Sequence, residues 1–133
     1  MTAPDLSLAD RFFRAWRDAD CSALAELLAP NAEWIMTGHS RFAGPTKGSD
    51  AVIDMRRQMT ALTAGSWRAL RDDSYDVVSS EHHIIILDRF LADREGKQLD
   101  SHEGILILPE ADGKVHTILH YFFDQHHFDE FWE

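Results

Sequence analysis

Residues 112–132 read DGKVHTILHYFFDQHHFDEFW, and this stretch decides the fold. Asp112-Gly113 is a two-residue hairpin signal, because such turns need the left-handed backbone that Gly tolerates. A strand-like run follows at 115–123. Phe128, Phe131 and Trp132 then recur at helical spacing, which predicts a short last helix laid over the edge of a sheet. The turn fixes the register of the strand before it, and so decides which polar side chains share a face.

Working outward, Glu95-Gly96 supplies a second turn. Together the two separate strands expected at about 82–94, 97–108 and 114–124, with another at 67–79, in an antiparallel meander. The chain before residue 67 reads as helices. Ser7 with Asp10 is a capping-box-like start, and Leu8, Phe12, Ala15, Trp16 and Ala19 make an apolar stripe. Asp20 can cap a second helix carrying Leu24, Leu27 and Leu28, which Pro30 would end. Residues 33–37 (EWIMT) read as a brief strand, and residues 38–48, with three glycines and a proline, as a loop. A third helix near Ser49 presents Val52, Met55, Met59 and Leu62. Helices first and a curved sheet second mean an α+β domain.

At 133 residues the chain is expected to form one domain, residues 1–133, with 44% hydrophobic and 27% charged residues. Its net charge of −10 argues against nucleic acid, whose phosphates would repel it, and against anionic membrane surfaces. The longest apolar runs are too short to span a bilayer. The N-terminal stretch carries no signal-peptide pattern and Cys21 is alone, so a cytoplasmic location is expected.

Hairpin arithmetic pairs Gly104 with Tyr121, His102 with Phe123 and Arg89 with His102. Facing residues point to the same side. One face therefore carries Ile85, Leu87, Arg89, Asp100, His102, Leu106, Leu119, Tyr121 and Phe123. The other carries Ile84, Ile86, Asp88, Phe90, Glu103, Ile105, Ile107, Ile118, His120 and Phe122. Both are apolar, so the helices should cover one, and a second copy of the chain should cover the outer face, giving a homodimer.

PNAEWIM after the second helix, GSDAV opening the third, HEGILIL, DGKV, HYFFD and FDEFW, in that order, resemble the nuclear transport factor 2-like superfamily in its SnoaL-like and ketosteroid-isomerase-like branch. The resemblance covers the chain from about Ser7 to Trp132. It implies a cone in which a curved mixed/antiparallel sheet wraps the N-terminal helices (a cystatin-like α+β barrel), with a pocket at the wide end. It also implies that the pocket lies on the Arg89, His102 and Tyr121 side, with Trp34 and Met36 facing it. The chain departs from the pattern at the acids of that pocket. Leu91 and Tyr121 stand where an epoxide-hydrolase relay has carboxylates, and Met36 stands where a ketosteroid isomerase has its base.

His102 is then the expected acid/base, since an imidazole titrates near neutrality. Arg89 and Tyr121 would donate to an enolate oxygen, and Trp34, Met36, Asp100, Leu119 and Phe123 would bind the substrate. The competing reading makes His102 a satisfied interior histidine and pairs Arg89 with Asp100 or Glu103. Asp88 faces Glu103, and two facing carboxylates need a cation or proton between them, supplied by an interface arginine or by His120. No metal and no cofactor are expected, because the histidine pairs diverge and no HExxH, P-loop or GxGxxG occurs. The expected function is a small-molecule pocket of the isomerase, cyclase or dehydratase kind, acting on a compact apolar carbonyl or hydroxy compound. The alternatives are a non-catalytic ligand-binding module and a dimerisation module of the same fold.

Overall fold

Glu95 and Gly96 both take left-handed backbone, φ 50° and 80°, which is the geometry a two-residue hairpin needs. The turn joins β5 (Ile84–Arg94) to β6 (Lys97–Ile107) in an unbroken ladder from Arg94↔Lys97 to Ile84↔Ile107. In the computed structural model, which describes residues 6–69, 75–108 and 110–133, β7 (Val115–Phe122) follows with Gly104 opposite Tyr121. That is the register expected from the turn, but the turn is looser than a two-residue loop. Paired rungs stop at Ile107↔Ile118, and Asp112 accepts a hydrogen bond from the Lys114 backbone N–H at 2.9 Å.

The helical half is α1 (Leu6–Arg17), α2 (Cys21–Leu27) and α3 (Ser49–Leu62), with α4 (Gln125–Phe131) at the other end of the chain. Asp20 caps α2 by accepting from Ala23 N at 3.1 Å, and Asp124 caps α4 by accepting from His127 N at 3.1 Å. Ser7 lies inside α1 rather than at its cap. Pro30 does not simply end a helix: it sits in β1 (Leu28–Met36), where the register against β7 shifts between Leu28 and Glu33. A bulge is a place where a strand tolerates a residue without an N–H. The glycine-rich stretch read as a loop contains β2 (Gly44–Lys47), paired with β1.

Strand order is β2-β1-β7-β6-β5-β3, where β3 is Arg68–Ala69, and β4 (Asp76–Ser79) pairs with β5 farther along the same edge. The expected strand 67–79 falls partly on residues 70–74, outside the described residues. The β1–β7 pair is parallel and the others are antiparallel, so the sheet is mixed. The α+β architecture is as expected.

Packing settles which face is inside. Ile84, Ile86, Phe90, Ile105, Ile107, Ile118 and Phe122 are buried with Phe12 and Trp16 of α1 and Val52 and Met59 of α3. β1 adds Trp34 and Met36, opposite Ile118 and His120. The last helix closes over this core: Phe128 stacks on Phe122 with centroids 3.4 Å apart, and Phe131 and Trp132 are buried. Cationic side chains hold its end. Arg41 donates to Trp132 O at 2.7 Å, and Arg94 donates to Phe131 O at 3.0 Å. Cations at carbonyl-rich helix ends are favoured by the helix dipole.

On the opposite face Gly104 has a steric role. A Cβ there would lie 2.2 Å from Tyr121 Cζ, so the phenol ring rests directly on the glycine backbone. Gly104→Ala should destabilise the protein by about 1–3 kcal/mol through overpacking. Urea unfolding should show most of that cost removed in a Tyr121→Ala background.

Tyr75 donates a hydrogen bond to Asp10, which also accepts from Arg14 at 3.1 Å, tying α1 to the segment before β4. The Tyr75 bond, followed by that from Arg14, holds the Asp10 carboxyl below its usual 3.8. Burial, then the bond to Asp10, raises the Tyr75 phenol. The depressed carboxyl stabilises above its unfolded pKa and loses this as pH falls. The raised phenol stabilises below its unfolded pKa and loses this as pH rises. The stability gap between the wild type and Tyr75→Phe should therefore be flat from about pH 5 to 9 and shrink at lower pH, measured by urea midpoints across pH.

Candidate functional site

His120 and Glu103 sit on the buried face, one on each of the two paired strands, β7 and β6. Side chains alternate along a strand, so the register that buries Ile118 and Phe122 also turns His120 inward. The one that buries Ile105 turns Glu103 inward. Their side chains are 0% and 2% exposed, and His120 Nε2 lies 2.7 Å from Glu103 Oε2. A carboxylate only accepts, so Nε2–H donates to it. Nδ1 is buried without a protein partner.

The ring lies among aromatic side chains. Trp34 meets it edge-on at 5.5 Å between centroids, Trp16 at 6.0 Å, and Phe122 tilts against it at 4.5 Å. Trp16 and Trp34 stack on each other at 3.9 Å. The indole N–H groups of both are also buried without a partner. One cluster thus holds two indole N–H groups and one imidazole nitrogen without protein partners. A buried polar group left unpaired costs about 1–3 kcal/mol.

Arg56 of α3, 2% exposed, closes the cluster from behind. It donates to Trp16 O at 2.7 Å, Arg17 O at 3.1 Å and Thr60 Oγ1 at 2.9 Å, with its guanidinium between the Trp16 and Trp67 rings. Burial pulls it down to about 10, and the charge of Glu103 is the largest influence opposing that. At neutral pH it remains a cation.

The expected site residues divide between two faces. Trp34 and Met36, at 0% and 2% exposure, face the interior. His102, Arg89, Tyr121, Asp100, Leu119 and Phe123 lie on the outer face, with Phe123 68% exposed. The expectation that both groups share one hollow is corrected here, although the register behind it holds. Trp34 and Met36 align with Ile118 and His120, whose side chains point away from Leu119 and Tyr121. The outer residues do meet: Arg89, His102, Phe123 and Leu87 line an open groove of about 370 Å³. Arg89 is engaged there by Asp100 through two bonds of 2.8 and 2.7 Å. That bond holds the Asp100 carboxyl low. The face assigned to a second copy, with Asp88, Glu103 and His120, is the interior one. The group that meets Glu103 there is His120. Sequence reasoning placed His120 beside Glu103 but on the wrong side of the sheet. The available signal was that this face alternates almost unbroken aliphatic and aromatic residues, while Arg89, Asp100 and His102 mark the other as wet.

Among the described residues, no three His, Cys, Asp or Glu side chains gather as a metal-binding group. No helix among them is long and apolar enough to cross a membrane.

The chain is 30% identical to Bal32a, from a soil-derived mobile gene cassette, over 96% of this chain and 95% of that one, with a TM-score of 0.86. A nuclear transport factor 2-like protein from Burkholderia xenovorans superposes over 96% and 95% of the two chains at 16% identity and a TM-score of 0.80. The chain shares the fold of nuclear transport factor 2-like proteins. The fold is shared with a putative SnoaL-like polyketide cyclase from Jannaschia, at 13% identity and TM-score 0.70 over 89% and 84% of the chains. Among curated proteins, the chain is 28% identical over 128 residues to an uncharacterised protein of Mycobacterium tuberculosis, covering 96% of this chain and 95% of that one. No family model matches the chain.

Glu103→Ala should cost about 2–5 kcal/mol, because it strips a buried histidine of its partner. Asp100→Asn on the outer face should cost under about 1 kcal/mol. Chemical denaturation of the two variants separates the interior contact from the exposed one.

Proposed function

We propose that this protein is a small-molecule acid–base enzyme of the isomerase or cyclase kind, with His120 in place of His102 as the proton carrier. The observation that carries the reading is the unpartnered Nδ1 of His120, buried beside two unpartnered indole N–H groups while Nε2 is held by Glu103. In this reading Nδ1 takes a proton from the carbon next to a substrate carbonyl. The C–H electron pair becomes the enolate C=C bond, and the C=O electrons move to oxygen. The Trp16 or Trp34 N–H donates to that oxygen as its charge grows. Nδ1–H then returns the proton at another carbon, so nothing is consumed. Glu103 acts through His120: it fixes the tautomer and stabilises the imidazolium while the ring holds the proton. Trp34 and Met36 keep their expected role as wall residues.

The outer face takes a separate role in this proposal. Leu87, Leu119, Tyr121 and Phe123 are covered by a second copy of the chain, and Arg89, Asp100 and His102 lie at that contact rather than in the pocket.

The test is deuterium exchange at the α-carbon of a panel of cyclic ketones and enones, followed by proton NMR. His120→Ala should lose at least about a hundredfold in the exchange rate. His102→Ala should stay within about threefold of the wild type. Loss in His102→Ala with retention in His120→Ala would return the chemistry to the outer groove.

A further inference from the structure

Trp16, Trp34 and His120 are 1%, 0% and 0% exposed, so their cluster is closed to solvent. Some element has to move before anything outside can reach His120. We infer that this element is α4, a plug that leaves the end of the core as one unit while the sheet, α1 and α3 stay in place.

The other walls are fastened more firmly. β1, β7, β6 and β5 are each hydrogen-bonded to a neighbouring strand on both sides, so parting any of them breaks a ladder. α1 and α3 are joined by Arg56, which is buried and donates to Trp16 O and Arg17 O. Separating those helices strands a buried cation, which costs more than a lost neutral bond. α4 has neither restraint. Among the described residues, no backbone-to-backbone hydrogen bond joins residues 125–133 to another element. Its ties lie at the rim. Gln125 donates to Thr37 O, Asp129 accepts from His39 N, Lys97 donates to Glu130 O and Arg41 to Trp132 O. Thr37, His39, Lys97 and Arg41 are exposed, so water takes over these bonds when the helix leaves, at little net loss. Arg94, which donates to Phe131 O, is buried, and water reaches it through the space the helix vacates.

The layering of rings puts α4 next to the cluster. Phe128 stacks on Phe122 with centroids 3.4 Å apart, and Phe122 tilts against the His120 ring at 4.5 Å. At the end of the helix, Trp132 stacks on Trp67 at 6.2 Å and meets Phe42 edge-on at 5.0 Å. Removal of Phe128, Phe131 and Trp132 empties the space over Phe122 and leaves one ring, now without its stacking partner, between water and His120. These three side chains are 0–2% exposed and must come out of the core together. Exposing so much aromatic surface is unfavourable, so the closed form dominates and the plug inhibits by default. The opening is a rare local event that leaves the rest of the fold intact.

The first test is hydrogen exchange in the nitrogen-labelled full chain, with urea added well below the unfolding transition. It follows the Phe128 backbone N–H, the indole N–H groups of Trp132 and Trp34, and the ladder N–H groups of β6. The expected result is one opening shared by Phe128 and both indoles. It should be at least about a hundredfold more frequent than that of the ladder, and less sensitive to urea because it exposes less surface. If the Trp34 indole exchanges only as often as the ladder, the interior opens by global unfolding alone and the plug is overturned. If it exchanges more often than Phe128, the route lies elsewhere, and the plug is equally overturned.

A cross-link supplies the second test. Gln98 of β6 and Glu130 of α4 are exposed and line one groove. In a Cys21→Ser background, Gln98→Cys and Glu130→Cys are bridged by a short bismaleimide. Bridging should slow exchange of the Trp34 indole at least about tenfold relative to the same variant with its thiols capped singly. An unchanged rate overturns the plug, and if the variant does not fold, the wild-type exchange decides. Both tests read solvent access rather than turnover, so they succeed or fail separately from the chemistry proposed for His120.

Discussion

Everything in this molecule hangs on a parity. A strand sends alternate side chains to opposite faces, and the face that lies against α1 and α3 is the one bearing His120 and Glu103. Once Ile105, Ile118 and Phe122 go into the core, these two polar groups must go with them. They survive there because they satisfy each other at 2.7 Å. A lone imidazole or carboxylate at that depth would cost several kcal/mol, whereas a hydrogen-bonded pair offsets most of that cost. The contact is therefore both a consequence of the fold and a condition for it.

The surroundings give the pair its chemical character. Glu103 occupies one ring nitrogen and leaves the other, Nδ1, without a protein partner. Aromatic rings pack around it at 0% exposure, and the low dielectric there strengthens the bond to Glu103. Arg56 ties α3 to the end of α1 through the Trp16 and Arg17 carbonyls, so the indole wall of the cluster is fixed by a buried cation rather than by apolar contact alone. On the far side of the same sheet the groups are of similar type but differently placed. Arg89 spends its guanidinium on Asp100, and His102 is exposed.

Much of this was legible in the sequence. Glu95-Gly96 predicted a two-residue turn and the structure has one, so every rung from Arg94↔Lys97 onward fell where expected. The Asp20 cap and the amphipathic spacing of Leu8, Phe12 and Trp16 were equally readable, as was the helix carrying Phe128, Phe131 and Trp132. The side of the sheet on which the helices lie was marked only by the polar group Arg89, Asp100 and His102 on the other face. Local turn chemistry fixes which residues share a face, but not which face is covered, because both carry aliphatic residues. That choice is made by long-range packing, and by the parallel pairing that sets Trp34 against Ile118 and Met36 against His120. Residues 28–36 also hid a full strand, because Pro30 and the bulge beside it break the alternation a strand ordinarily displays.

The most direct measurement of the central claim is a set of proton–proton Overhauser contacts from the histidine rings in uniformly labelled protein. The account predicts contacts from the His120 ring to the indole rings of Trp16 and Trp34, and from the His102 ring to Phe123. Contacts from His102 or Tyr121 to Trp34 or Met36, with His120 showing none, would contradict it. The proposed chemistry would then belong to the other face of the sheet.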